Sequence, residues 1–515
     1  MASHIDRREF LRFSAGMAGL STAGAFGLQM AAAGSAAGAV ASDYKALVCI
    51  FLFGGNDANN MVLATDDDSW GRYFVARNQG SDPIALMPVG TAATPIGQIN
   101  AVTGRISALG KPENWGGVLP IVPKTAQAIP AGTSASTRTF ALHPLMAPVQ
   151  SLFNSGRLAV LANVGTLITP TTKAQYATRS VPLPASLFSH NDQQSTWQAG
   201  ATEGARTGWG GEMGDLLASM NGSNTAFTAI TASGTAVFLS GRSIIQYPLS
   251  TNAAPAVSVG GVVAGSLFGS NAAPAVLKDI ITDTGTASDF ANDHGAVVAR
   301  SVPTAAIINT AFAQPAVAAV PSPPAYTNPS KTLVETNALA LQLRTVARMI
   351  ATAPAFGLKR QVFMVSAGGW DSHDTQNLDQ SNNLAKLAQA LDYFDTTLGN
   401  INGADMRSNV TTFTASDFSR TFNTNGDGTD HAWGGHHLIM GGAVNGGTIY
   451  GQYPTLGMDL NGFVNPNATG GSLIPTTSVD QYAATLGAWF GVGSSDLNTI
   501  FPNLKNFGTA NLGFV

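Results

Sequence analysis

The stretch YKALVCIFLFGGNDANNMVLA, residues 44–64, constrains the fold more tightly than any other. Its apolar run from Ala46 to Phe53 is unbroken, whereas a strand with one wet face alternates apolar and polar residues. The run therefore predicts a strand buried on both faces, inside a parallel sheet covered by helices. It ends abruptly at Gly54-Gly55-Asn56-Asp57, and in such sheets functional groups gather just beyond the carboxyl ends of the strands. Asp57 is a candidate on that ground, with a plain Asx turn as the alternative.

The rest of the chain repeats the theme. LHPLMAPVQSLFNSGRLAVLANVG predicts a helix with Leu145, Val149 and Leu152 on one face, a stop at Gly156, and a strand over Leu158–Val164. ETNALALQLRTVARMIA puts Leu339, Leu343, Val346 and Ile350 on one helical face. RQVFMVSAGGWDSHDTQ and NVTTFTASDFSRT each read as strand then loop, with the amphipathic helix NNLAKLAQALDYFDTTL between them. Strands alternating with helices predict a doubly wound α/β sheet. The 515-residue chain is expected to form a single domain over 42–515. Insertions are expected near 78–137, rich in Gly, Pro, Thr and Ala, and near 215–335, where the pattern weakens into a cap or accessory segment.

The amino terminus carries its own signal. Arg7 and Arg8 precede Phe10 and Leu11, a weakly apolar Ala/Gly/Leu stretch follows, and Ala39-Val40-Ala41 is a small-x-small cleavage site. Residues 1–41 thus read as a twin-arginine export peptide, which places the protein in the periplasm or outside the cell and makes the export machinery a partner. Gly, Ala, Ser and Gln29 dilute the segment too much for a permanent membrane span. The single cysteine, Cys49, excludes an internal disulfide, and folded export does not need one. A net charge of -4 with no long Lys/Arg run argues against nucleic acid as a partner.

Polar clusters follow three of the expected strands: Asp57 after the first, Asp371 and His373 after a later one, Asp417 after the next, with Asp430 and His431 in the loop beyond. Mixed carboxylate and imidazole ligands suit a divalent metal such as Zn or Mn, or Fe, better than Mg or Ca. Converging carboxylates and imidazoles also call for a compensating cation. Asp371 and His373 are two apart, which in a loop lets both face one ion. Asp417 is either a ligand or a partner of a helix end or of Arg420. Asp430 is expected to orient His431 from behind, and the adjacent His436 and His437 are expected to be structural or peripheral.

FTASDFSRTFNTNGDGTDHAWGG resembles the stretch in phosphopentomutases and related alkaline-phosphatase superfamily enzymes where a strand ends in Ser/Ala-Asp-His-Gly and Gly-Thr-Asp-His follows. More closely, the export signal, FGGNDANNMV, LHPLMAPVQSLFNSGRLAVLANVG, SHNDQQSTWQAG, GGWDSHDTQ, ASDFSRT and GTDHAWGG together resemble the secreted domain-of-unknown-function family number 1501. The resemblance implies an alkaline-phosphatase-like three-layer α/β/α sandwich with a mostly parallel sheet. It also implies one or two ions, with Asp57 and Asp417 on one and Asp371, His373 and His431 on the other, acting on phosphate or sulfate esters, small or polymer-linked. The chain departs from that pattern twice. Phe418 stands where the superfamily has a histidine, and no clear nucleophile follows the second strand. Ser189 beside His190 is the candidate catalytic pair, Ser195 and Thr196 are rivals, Asp192 is a further possible ligand, and a metal-activated water is the remaining option.

The leading expectation is therefore an exported metal-dependent hydrolase of phosphate or sulfate esters. The alternative is a non-catalytic exported protein of the same fold that binds a cell-surface polymer or a protein partner. A lipase-like serine hydrolase lacks its Gly-x-Ser-x-Gly elbow, and neither a phosphate-binding P-loop nor a dinucleotide fingerprint is present.

Overall fold

The computed structural model describes residues 44–129, 136–256, 259–263, 265–457, 463–464 and 470–515. Arg7, Arg8 and the Ala39–Ala41 site lie outside the described residues. The apolar run forms strand Lys45–Leu52 (β1). Its even-numbered residues Ala46, Val48, Ile50 and Leu52 enter one hydrophobic core and Leu47, Cys49 and Phe51 enter another, as the two-residue repeat of a strand between two helical layers requires.

Leu158–Gly165 (β2), Ala229–Thr231 (β3), Tyr247–Pro248 (β4), Arg360–Ala367 (β5), Val410–Ser416 (β6), Gly435–Met440 (β7), Ile449–Tyr450 (β8) and Thr477–Ser478 (β9) complete a nine-stranded sheet. Its order is β8-β2-β7-β6-β1-β5-β3-β4, with β9 also on β2. Every pairing is parallel except those of β7, which runs antiparallel to β6 and β2. The fold is thus α/β with a large, mostly parallel mixed sheet. The helices used below are Asp67–Arg77 (α1), Ala147–Asn154 (α2), His190–Ala199 (α3), Trp209–Leu217 (α4), Asp289–Phe312 (α5), Ala338–Phe356 (α6), Gln376–Leu398 (α7) and Val479–Phe490 (α8).

Helices cover both faces. Residues of α2, α6 and α7 pack into the first core, and those of α4 and α8 into the second. In α6 the expected stripe of Leu339, Leu343, Val346 and Ile350 is buried, each side chain contributing about 1.5–3 kcal/mol of burial before entropy is counted. The Asn337 side chain accepts from the Ala340 N–H at its start, and Gly357, with φ of 64°, ends it, so both orphaned helix ends are satisfied.

The segment 78–137 is mostly irregular, but Leu119–Ile121 joins Val62–Ala64 and Phe140–Leu142 in a small antiparallel sheet. The segment 215–335 supplies β3 and β4 to the main sheet as well as α5. No helix among the described residues is long and apolar enough to cross a membrane.

Candidate metal centre

The carboxyl ends of β1, β5 and β6 lie side by side, because β1 is paired in register with both neighbours. The reversed strand β7 starts at this same edge, which brings the loop preceding it, with His431, over the ends of its neighbours. A two-residue bridge between Arg420 and His431 and hydrogen bonds from the Thr421 N–H to the Asp430 carbonyl (2.9 Å) and from the Ala432 N–H to the Ser419 carbonyl (2.8 Å) hold this loop against the segment leaving β6. At Gly54, φ is 117° and an added Cβ would lie 2.4 Å from the Asp371 backbone nitrogen, so only glycine allows the β1 loop to pass this close.

Ligand atoms of His190, Asp371 and His431 all lie within 4.8 Å of one another. Asp371 is central. Its Oδ1 is 3.2 Å from His431 Nε2 and its Oδ2 is 3.4 Å from His190 Nε2. An ion with tetrahedral bonds of about 2.0–2.2 Å spaces its ligand atoms by about 3.4 Å. His373 adjoins the group, with Nε2 3.1 Å from Asp371 Oδ1 and 2.9 Å from His431 Nε2.

The far nitrogen of each imidazole is bonded to an acceptor. His190 Nδ1 meets Asp417 Oδ2 at 2.7 Å, His431 Nδ1 meets the Phe188 carbonyl at 2.8 Å, and His373 Nδ1 meets Asp430 Oδ1 at 3.1 Å. An acceptor at Nδ1 fixes a proton there, so a ring that carries only that proton turns the lone pair of Nε2 toward the Asp371 carboxylate. Lone pairs aimed at an anion repel unless protons or a cation lie between them. The donor set therefore suits a divalent ion, which His190, Asp371 and His431 could hold, with His373 close beside them.

The local electrostatics differ between the two rings, and a cation at the cluster would have to displace a proton from His190. The hydrogen bond to Asp417 is the main reason that His190 holds its proton above the usual histidine range, against the opposing effect of partial burial. Burial pushes His431 below that range; the Phe188 hydrogen bond opposes this, and the Arg420 charge adds to it. His431 is accordingly neutral and ready to donate a lone pair. Partial burial of Asp371 works against its charge, but Arg420, whose Nη1 is 2.7 Å from Oδ1, and the neighbouring histidines outweigh it and keep the carboxyl below the ordinary range.

Of the residues singled out from sequence, the structure brings Asp371, His373, His431 and His190 together. Asp417 is fully buried one step behind them; its Oδ2 accepts from His190, from the Gly54 N–H (3.2 Å) and from Gln194 Nε2 (2.8 Å). Asp57 is not brought to the cluster. Its carboxylate is buried in an ion pair with Arg77, accepts from Gln376 Nε2 at 2.6 Å, and caps the turn at Asn59. Asp430 orients His373, whereas His431 takes its orientation from a backbone carbonyl. Arg420 pairs with Asp371 and not with Asp417.

Ser189 does not engage His190. It starts α3, where its hydroxyl donates to Asp192 Oδ2 at 3.0 Å while the His190 ring turns to Asp417. The Ser195 hydroxyl donates to the Thr202 carbonyl and that of Thr196 to the Asp192 carbonyl. Phe418 is buried with its ring centroid 4.8 Å from His190 and 4.5 Å from His431, so it sets an apolar wall against both rings. His436 and His437 are buried in β7 and structural, burial pushing both down to about 3.

The role of the Phe188 carbonyl carries no side-chain signature in sequence. Its backbone is informative, however: φ is 75° at Phe188 and 49° at Ser186, conformations that cost about 1–3 kcal/mol each for residues other than glycine and persist only where the surroundings impose them.

Residues 310–500 match the family described as "Protein of unknown function (DUF1501)". The matched span carries Asp371, His373, Asp417, Asp430 and His431, while Asp57 and His190 precede it. No curated protein and no solved structure matches the chain.

Proposed function

We propose that this protein is an exported metal-dependent hydrolase of phosphate or sulfate esters with an alkaline-phosphatase-like core, and that it works with a single divalent ion, zinc or manganese. The observation that carries the reading is the set of imidazoles whose Nδ1 atoms are tied to acceptors while their Nε2 atoms converge on Asp371. His190, Asp371 and His431 would hold the ion, leaving a position open to solvent on the side where Asp371 and His373 are 43% and 47% exposed. Three protein ligands with an open position is the pattern of catalytic sites, whereas structural ones are closed. A bound divalent ion would supply a Lewis acid and lower the pKa of water.

The chain's own groups do the rest. Asp417 and the Phe188 carbonyl fix two ligand rings, Arg420 fixes Asp371, and the Phe418 ring keeps water from one side of His190 and His431. His373, oriented by Asp430, stands beside the open position and is suited to accept a proton from water. Since the Ser189, Ser195 and Thr196 hydroxyls are committed elsewhere, water supplies the attacking oxygen. The export reading rests on Arg7, Arg8 and the Ala39–Ala41 site.

The test is metal content of the purified full-length protein, followed by phosphatase and sulfatase assays with the metal found. Wild type is expected to hold about one ion and the Asp371→Ala/His431→Ala variant none; equal content in both removes the metal centre. His373→Ala is expected to keep the ion and lose turnover, and loss of the ion would make His373 a ligand. The Phe418 wall and the committed hydroxyls favour one other reading, a metal-bearing protein that binds a surface polymer without cleaving it. Bound metal with no turnover on any ester would select it.

A further inference from the structure

A cavity of about 590 Å³ is lined by Tyr176, Arg179, Val181, Leu183, Leu187 and Phe188, among others. Its size falls within the range of small-molecule sites. Two contacts join its wall to the metal centre. Phe188, which lines the cavity, gives its carbonyl to His431 Nδ1. Tyr176 packs on Trp433, two residues past His431, with ring centroids 6.0 Å apart. Trp433 is itself fixed by an Nε1–H donated to the Thr166 carbonyl at 2.8 Å. The segment that lines the cavity up to Phe188 runs directly into the ligand His190.

The lining sorts by chemistry. Tyr176, Leu183, Leu187 and Phe188 bring rings and aliphatic side chains to a lining with a larger polar share, and Arg179 is the one charged residue in it. Backbone structure positions Arg179: it ends the short helix Lys173–Thr178 with φ of 52°, and that helix starts with a reciprocal cap between Thr172 and Gln175. Arg179 is exposed, so an arriving anion can reach it from solvent.

We propose that this cavity seats the non-reacting part of the substrate, an alcohol with an apolar ring that carries its own anionic substituent; the word substrate rests on the hydrolase reading above. The ring would lie on Tyr176 and the leucines and the anion on Arg179. Binding energy gained away from the reacting ester would then orient it toward Asp371 and His431.

Equilibrium dialysis of the metal-loaded full-length protein with hydroxynaphthalene sulfonate and with plain naphthol tests this. The sulfonate is expected to bind about three- to fivefold more tightly, as an exposed charge pair allows. Arg179→Gln should erase that preference, and Leu187→Asp should abolish binding of both alcohols while metal content stays at the wild-type level. Equal binding of the two alcohols, or binding indifferent to both substitutions, overturns the proposal. Hydrolysis of the matching esters with KM unchanged in both variants also overturns it and leaves the hydrolase reading standing. The expected binding pattern without hydrolysis of the phosphate or sulfate esters supports the cavity as a ligand site and overturns the hydrolase reading instead.

Discussion

Asp417 shows how one residue serves a site without touching its centre. Buried behind His190, it accepts from the ring, from the Gly54 N–H and from Gln194, while its Oδ1 has no partner among the described residues. Asp417→Asn keeps the shape and removes the charge that holds the His190 proton at Nδ1. Metal affinity is expected to fall about 10–100-fold, measured by calorimetric titration. Unchanged affinity would mean that His190 is not a ligand. Asp57 is the contrasting case. With Arg77 it forms a buried ion pair in which neither side chain meets solvent. Arg77→Ala would strand a buried carboxylate at a cost of about 3–5 kcal/mol. Denaturant melts should show this loss with and without added metal, whereas a ligand role for Asp57 would make the loss depend on metal.

At the scale of elements, the site is a product of loop crossings. The β1 loop passes between the loops leaving β5 and β6, and Gly54 is the crossing point, next to the backbone of Asp371 and donating to Asp417. Gly54→Ala adds a Cβ where backbone atoms already sit and forces φ of 117° on a residue that resists it. A destabilisation of more than about 2 kcal/mol by denaturant titration is expected, together with weaker metal binding. A variant with normal stability and normal affinity would mean that the loops do not press on each other at Gly54. The segment before α3 works similarly, since its left-handed residues Ser186 and Phe188 aim one carbonyl at His431 and deliver His190 to the same cluster.

For the whole molecule, burial of neutral histidines sets an acid limit. His143, His436 and His437 are buried, and burial pushes each down to about 3. In the unfolded chain each titrates near 6.5. Between those values the unfolded chain binds more protons than the folded one, so stability is fully present above about 6.5 and declines as pH falls toward 3, by about 1.4 kcal/mol per pH unit for each ring. His437→Gln should flatten the slope of unfolding free energy between about pH 6 and 4 by about that one-ring share, in urea titrations across the range. An unchanged slope would mean that the ring titrates alike in both states.

The sequence by itself determined four strands of the sheet and the edge where polar groups follow three of them. The unbroken run of β1, the stripe of α6 and the polar clusters following β5 and β6 are local patterns, because burial on two faces, burial on one face and a strand's end each leave their own spacing in the chain. Those patterns also sufficed to nominate Asp371, His373 and His431. Only the tertiary structure decided which polar groups meet. His190 comes from a helix far in sequence from Asp371 and His431, Arg77 claims Asp57 from another helix, and a backbone carbonyl at Phe188 orients His431. These are pairings between distant segments, and no spacing within one segment encodes the partner that chain crossings bring to it.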